Sequence, residues 1–213
     1  IKGIKSKINQ HKFIQAKIYG YMDPKNTIKN INLSKYFNDD HKKYALAIAN
    51  YKTSNLKKAV QLMDELILKY SNNPYFYELK AQILRENGYL NNALKNYSKA
   101  IEIIPNDGLI LIELAQTQIN YETDKYLNEA IKNLKTASLQ ENENQKLWYL
   151  LSVAYGRNDE LGKSRYASGY SAYLKGDNAL ALSFIAKARK IVKPKSVEWY
   201  QLEDLEGRIN SKK

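Results

Sequence analysis

The chain has 213 residues, 44% of them hydrophobic, which is enough to bury a sizeable core and too much for a disordered polypeptide. No apolar run is long enough to span a bilayer, and the absence of cysteine excludes disulfides and thiolate metal sites. Of the net charge of +12, the first 43 residues, with ten Lys against three Asp, hold +7. Two explanations fit that excess: an acidic or phosphate-rich partner, or drift in a composition rich in Lys, Asn, Ile and Tyr. No RNP-like, zinc-finger or recognition-helix signature points to nucleic acid. Few Pro and Gly are present, and they sit mostly between apolar-periodic segments, which favours an all-α fold. The start at Ile1 and not at Met reads as a fragment or processed form, with a signal peptide or a whole domain expected upstream.

The segment "INQHKFIQAKIYGYMDP" (Ile8–Pro24) places Ile8, Phe13, Ala16, Ile18 and Tyr19 at spacings that predict one amphipathic helix. The polar "KNTIKNINLSKYFNDD" after it predicts a loop lying over the first of the repeats beyond it. Residues 1–41 are therefore expected as a lead-in to an array filling 42–213.

The array shows itself by self-similarity at a fixed period. Ala47 and Ala81, Leu56 and Leu90, Ala59 and Ala93, Leu66 and Ala100, and Asn72 and Asn106 all lie 34 residues apart. Units are predicted over about 42–73, 74–107, 108–144 and 145–192. The third has a longer inter-helix turn, "YETDKY", because Leu127, Ala130 and Ala137 lie 37 residues beyond Leu90, Ala93 and Ala100. In the fourth, "LGKSRYASGYSAYLKGD" (Leu161–Asp177) must close one hairpin while resembling the start of the next. A capping helix is predicted over 196–211, with Ser196 at its start and Val197, Trp199, Tyr200, Leu202, Leu205 and Ile209 on its apolar face. Small residues, Ala47, Ala81 and Ala115 on first helices and Ala59, Ala93 and Ala130 on second helices, allow close helix approach. Tyr77, Leu84, Tyr97 and Trp148 fill the space beside them. Gly88 suits the left-handed residue after a helix, and Pro74 and Pro105 mark the passage between units.

A 34-residue helix–turn–helix unit with large–small–large spacing and a closing Pro resembles the tetratricopeptide repeat (TPR). In the second unit Tyr77, Ala81, Leu84, Gly88, Ala93, Tyr97, Ala100 and Pro105 stand on the signature positions, with Lys80 a departure from the usual Leu. The resemblance covers about 42–192. It implies an all-α TPR superhelix of ten or eleven helices whose first helices line a concave surface. The corresponding positions are Tyr44, Ile48, Tyr51 and Lys52 in the first unit and Glu78, Gln82, Arg85 and Glu86 in the second. In the third they are Ile112, Gln116, Ile119 and Asn120, and in the fourth Tyr149, Val153 and Arg157. This mixture of apolar, amide and charged groups suits an extended peptide or a folded element with apolar anchors, unless part of it is covered by the lead-in or by another domain.

Two stretches carry a narrower resemblance. His11 to Tyr21 fits H-x-x-x-x-A-K-x-x-G-[FY], and Asn73 to Lys80 fits N-P-Y-x-x-E-L-K, as in the region after the catalytic domain of BepA-like zinc metallopeptidases. That likeness implies a periplasmic interaction domain that docks substrate, its own protease domain or the outer-membrane assembly machinery. Zinc would belong only to an upstream domain. The chain itself holds His11 and His41 alone, neither in H-E-x-x-H, so no cofactor, metal site or catalysis is expected within it. The carboxylate groups "ENEN" (Glu141–Asn144) and "EDLE" (Glu203–Glu206) read as solvated charge. A free-standing TPR scaffold, cytoplasmic or lipid-anchored, remains the alternative.

Overall fold

The computed structural model describes residues 2–121 and 123–211, with side chains from Asn9 onward. Among these residues are twelve α-helices, two 3-10 turns and no strand. The chain divides into two compact units, Ile1–Ile103 and Ile104–Lys213.

In the first unit, α1 (Lys2–Met22) and α2 (Pro24–Asn30) precede two helical hairpins, α3 (Asp39–Lys52) with α4 (Leu56–Lys69) and α5 (Pro74–Glu86) with α6 (Leu90–Ile103). The predicted lead-in loop is thus partly helical, which raises the helix count above the ten or eleven expected. Asp23 caps α2 by accepting from Asn26 N at 3.2 Å, Pro24 sits in its first turn, and buried Thr27 donates its hydroxyl to Tyr19 O at 2.9 Å. The capping, not apolar periodicity, makes this helix, and so the polar composition concealed it.

Phe13, Ala16 and Gly20 form the buried face of α1, whereas Ile18 and Tyr19, expected there, are exposed. The Ile8 side chain lies outside the described residues. Phe13 is the hub of an aromatic cluster, meeting His41 at 4.6 Å, Phe76 at 5.2 Å, Tyr44 at 5.7 Å and Tyr70 at 5.8 Å, all edge-on. Beside it Gly20 lets α1 cross α3 so closely that a Cβ there would lie 2.6 Å from Ala45 O and 2.8 Å from Ile48 Cβ. The small residues of the hairpins, Ala47, Ala59, Ala81 and Ala93, are fully buried. Gly88 takes φ +83° between α5 and α6, the left-handed conformation expected of it.

The second unit contains α7 (Gly108–Ile119), α8 (Leu127–Ala137), α9 (Gln145–Arg157), α10 (Leu161–Leu174), α11 (Asn178–Arg189) and α12 (Val197–Asn210). The long α7–α8 turn contains a 3-10 turn at Asp124–Tyr126. Helix α10 packs on both α9 and α11, the double role its sequence suggested. Ser196 caps α12 by accepting from Trp199 N at 3.2 Å. Leu202, Leu205 and Ile209 are buried there, but Val197 and Tyr200 are exposed and Trp199 is only half-buried, against expectation. The indole Nε1 donates to Glu203 at 2.8 Å and Arg189 lies over the ring at 5.2 Å, so Trp199 closes the edge of the core. No described helix is long and apolar enough to cross a membrane.

Candidate functional site

In the first unit the expected surface is divided in two by α1. Tyr44 and Ile48 are buried, at 4% and 0% exposure, beneath Phe13 and the Gly20 backbone. They are core residues and not an open binding face, because the lead-in helix fills the start of the groove. The ridge beyond it is accessible. There the half-buried Tyr51 donates its hydroxyl to the Glu86 carboxylate, and Gln82 Nε2 donates to Glu86 Oε1 at 3.0 Å. Arg85 Nη2 lies 3.7 Å from Glu86 Oε1, its side chain only 10% exposed. The exposed Lys52 ammonium sits 5.7 Å from the Tyr21 ring and 5.8 Å from the Tyr51 ring, which meet edge-on at 6.5 Å.

Tyr21, from α1, is a ridge member that repeat mapping misses, because it comes from outside the repeats; its presence in the G-[FY] motif was the available signal. Burial pushes its phenol up to about 12, with further increments from the charges of Glu78 and Glu86. Burial and the bond to Glu86 likewise raise Tyr51. Burial works against the Glu86 charge, but the hydrogen bonds from Tyr51 and Gln82 and the charges of Arg85 and Lys52 outweigh it and hold the carboxyl below the usual range. At neutral pH the ridge therefore presents two protonated phenols, an ammonium, one amide and a carboxylate. These groups can hold a peptide backbone and its side chains; neither phenol is activated as a nucleophile.

In the second unit Ile112 and Ile119 are buried, at 1% and 6% exposure, and belong to the core. Gln116 is half-buried, with a buried Oε1 that receives no hydrogen bond from the described residues. Asn120, the C-terminal cap of α7, and Tyr149 are exposed, and Val153 is half-buried. Arg157 is a clamp. Its Nε and Nη2 donate to Asp124 Oδ1 at 3.0 and 2.6 Å, and its Nη1 donates to Ile119 O at 2.5 Å. It ties α9 to the long α7–α8 turn, a role the inserted residues created and repeat mapping could not show. Buried Gln118 joins the same hairpin, donating to Glu129 at 3.1 Å and accepting from Asn133 at 3.0 Å.

His11 is exposed on α1. His41 is buried and committed: Nε2 lies 2.8 Å from Asn9 Oδ1, and Nδ1 accepts from Asn38 N at 3.3 Å in a capping box. Of the carboxylates read as solvated, Glu141–Asn144 does lie between helices, but Glu206 pairs with Arg189 at 2.5 Å.

Paired helices with buried small residues at the 34-residue period define the chain as an all-α repeat protein of the TPR fold. Solved structures agree. MamA from Desulfovibrio magneticus RS-1 is 16% identical with a TM-score of 0.59, over 72% of this chain and 96% of that one. YrrB, described as a TPR protein with an unusual peptide-binding site, is 16% identical with a TM-score of 0.58, over 89% and 88%. PilF of Pseudomonas aeruginosa is 14% identical with a TM-score of 0.59, over 92% and 98%. At these identities the likeness is one of fold. No protein-family model matches the chain, and no curated protein sequence matches it.

Proposed function

We propose that this chain is a protein-interaction module that holds a peptide or folded element of a partner protein along the Tyr21–Tyr51–Lys52–Gln82–Glu86 ridge, and that it serves a BepA-like zinc metallopeptidase of the bacterial envelope. The observation that carries the second part is the 5.2 Å edge contact of Phe13 with Phe76. It joins the two stretches that resemble that family, His11–Tyr21 and Asn73–Lys80, into one packed element. Both rings stand on positions that the two patterns leave unspecified, so the contact supports the two stretches forming one element, while the resemblance itself rests on their fixed residues. The partners on this reading are substrate, the protease domain itself or the outer-membrane assembly machinery, in the periplasm. Zinc and catalysis belong to an upstream domain.

The gene sequence upstream of Ile1 tests the assignment: an H-E-x-x-H motif is expected there, and a gene without one refutes the protease reading. The ridge is tested separately with Lys52→Glu and Gln82→Ala combined, both on side chains in contact with solvent. Capture of the purified protease domain or outer-membrane assembly proteins should fall by about tenfold with helicity unchanged. The second reading is a free-standing TPR scaffold, cytoplasmic or lipid-anchored, for which YrrB, described as a TPR protein with an unusual peptide-binding site, offers a likeness of fold.

A further inference from the structure

A second concavity lies in the first unit, between α1 and the start of α5, and the ridge does not include it. It is a cleft of about 720 Å³, a size that suits a ligand side chain and its neighbours. Its floor is aromatic: Phe13, Tyr44 and Phe76 are buried and Tyr70 half-buried. Its rim carries two large apolar side chains held in solvent, Ile14 at 58% and Tyr75 at 51% exposure. Both motif stretches line it, so the segments that set this chain apart from a plain repeat array meet here.

The charge on the cleft's own lining is positive, with the carboxylates of Asp40 and Glu78 behind the floor at Tyr70 and Tyr44. Among the described residues Lys17 is the only charged one lining it, beside the amides of Gln10, Asn72 and Asn73. Of the two lysines of α1 whose side chains are described, Lys12 donates to Tyr36 O at 3.0 Å and Lys17 lines the cleft. The nearby carboxylate behind Tyr70, Asp40, is already engaged, accepting from the Tyr70 hydroxyl at 2.5 Å and from Lys69 at 2.6 Å. Asn73 spends its side-chain oxygen on Tyr75 N at 3.1 Å. A basic apolar anchor would therefore meet only like charge on the lining, and a neutral one would leave Lys17 without a counter-ion. An apolar side chain with carboxylates beside it satisfies both the floor and the rim.

We propose that this cleft docks an extended acidic segment of a partner protein, resting one aromatic side chain on the floor formed by the packed rings of Phe13, Tyr44, Tyr70 and Phe76, against Ile14 and Tyr75, while flanking carboxylates pair with Lys17. The site is separate from the ridge, and one chain can engage a partner at both, which would raise avidity without new contacts at either.

The test uses the full chain and a fluorescein-labelled peptide with one phenylalanine between paired aspartates, read by anisotropy. Two controls replace the phenylalanine with serine or the aspartates with lysines. The proposal expects the acidic phenylalanine peptide to bind at least about tenfold more tightly than either control. Lys17→Glu should erase the preference over the lysine peptide, and Ile14→Asp should weaken binding about tenfold; both sites are at least partly open to solvent, so circular dichroism should not change. The ridge variant, Lys52→Glu with Gln82→Ala, should bind the peptide as the parent does. That result separates a failure of this site from a failure of the ridge. Equal binding of the three peptides refutes the proposal, and so does full affinity in a folded Ile14→Asp variant. If the peptide fails to bind while Ile14→Asp abolishes self-association or adsorption to anionic vesicles, a second copy or a lipid surface is the occupant and the proposal falls.

Discussion

Gly20→Ala discriminates between two physical accounts of α1 because they predict opposite signs. Helix propensity alone favours Ala over Gly by about 1 kcal/mol in a helix interior. Here the new methyl would lie 2.6 Å from Ala45 O and 2.8 Å from Ile48 Cβ. The oxygen is helix backbone, so α3 cannot yield locally, and relief must come from α1 lifting as a body. Overpacking of this kind costs about 1–3 kcal/mol, and a gap of roughly 0.5–1 Å along the seam forfeits a quarter to a half of its dispersion contacts. The seam includes Phe13, Ala16, Tyr44 and Ile48, all buried, so the net effect is a loss of about 1 kcal/mol or more. Gly207→Ala is the matched control, because a Cβ at that exposed position in α12 has nothing within 4 Å and should stabilise by about 0.5–1 kcal/mol. Hydrogen exchange resolved by segment is the assay, since a repeat array need not unfold in one step. Protection in α1 and across 44–48 should drop several-fold in Gly20→Ala and stay unchanged in Gly207→Ala. Rising protection of α1 in Gly20→Ala would refute the close crossing described here.

Three further perturbations probe other parts of the chain. Burial and the charge of Lys12 hold the His41 imidazole below the ordinary range. The unfolded chain therefore takes up its proton first, and the associated stability is full above the ordinary His value and is lost as pH falls through the depressed one. His41→Gln should flatten that part of the pH–stability curve, and an NMR titration of His41 at its ordinary value would contradict the burial. Arg157→Ala removes the clamp on the α7–α8 turn; proteolysis within 120–127 should quicken, with a stability loss of about 1–3 kcal/mol in urea unfolding of the second unit. Ala81→Glu or Ala93→Glu places an unpaired carboxylate at a fully buried helix contact and should cost at least about 3 kcal/mol, visible as lost helicity at room temperature. An unchanged melting curve would undo the repeat register.

The 34-residue recurrence of alanines was enough to specify paired helices and their close faces, because small residues at fixed spacing have one packing use in such an array. The Ser196 cap and the positive φ of Gly88 were equally legible, since each depends on residues within a turn. Helix α2 was not legible, because its signal is a cap and a proline in a polar run.

The candidate site divides along the same line. Which residues fall on first helices follows from local periodicity. Whether they meet solvent depends on segments far away in sequence. Tyr44 and Ile48 occupy surface positions in a plain repeat and become core only because Gly20, 28 residues before Ile48, lets α1 lie across α3. Arg157 reads as a groove residue until the inserted turn brings Asp124 to within 2.6 Å of its guanidinium. Helical period and turn chemistry, being local, were set by the sequence alone. Burial, charge pairing and the cleft between α1 and α5 are sums over distant segments, and only the tertiary structure decided them.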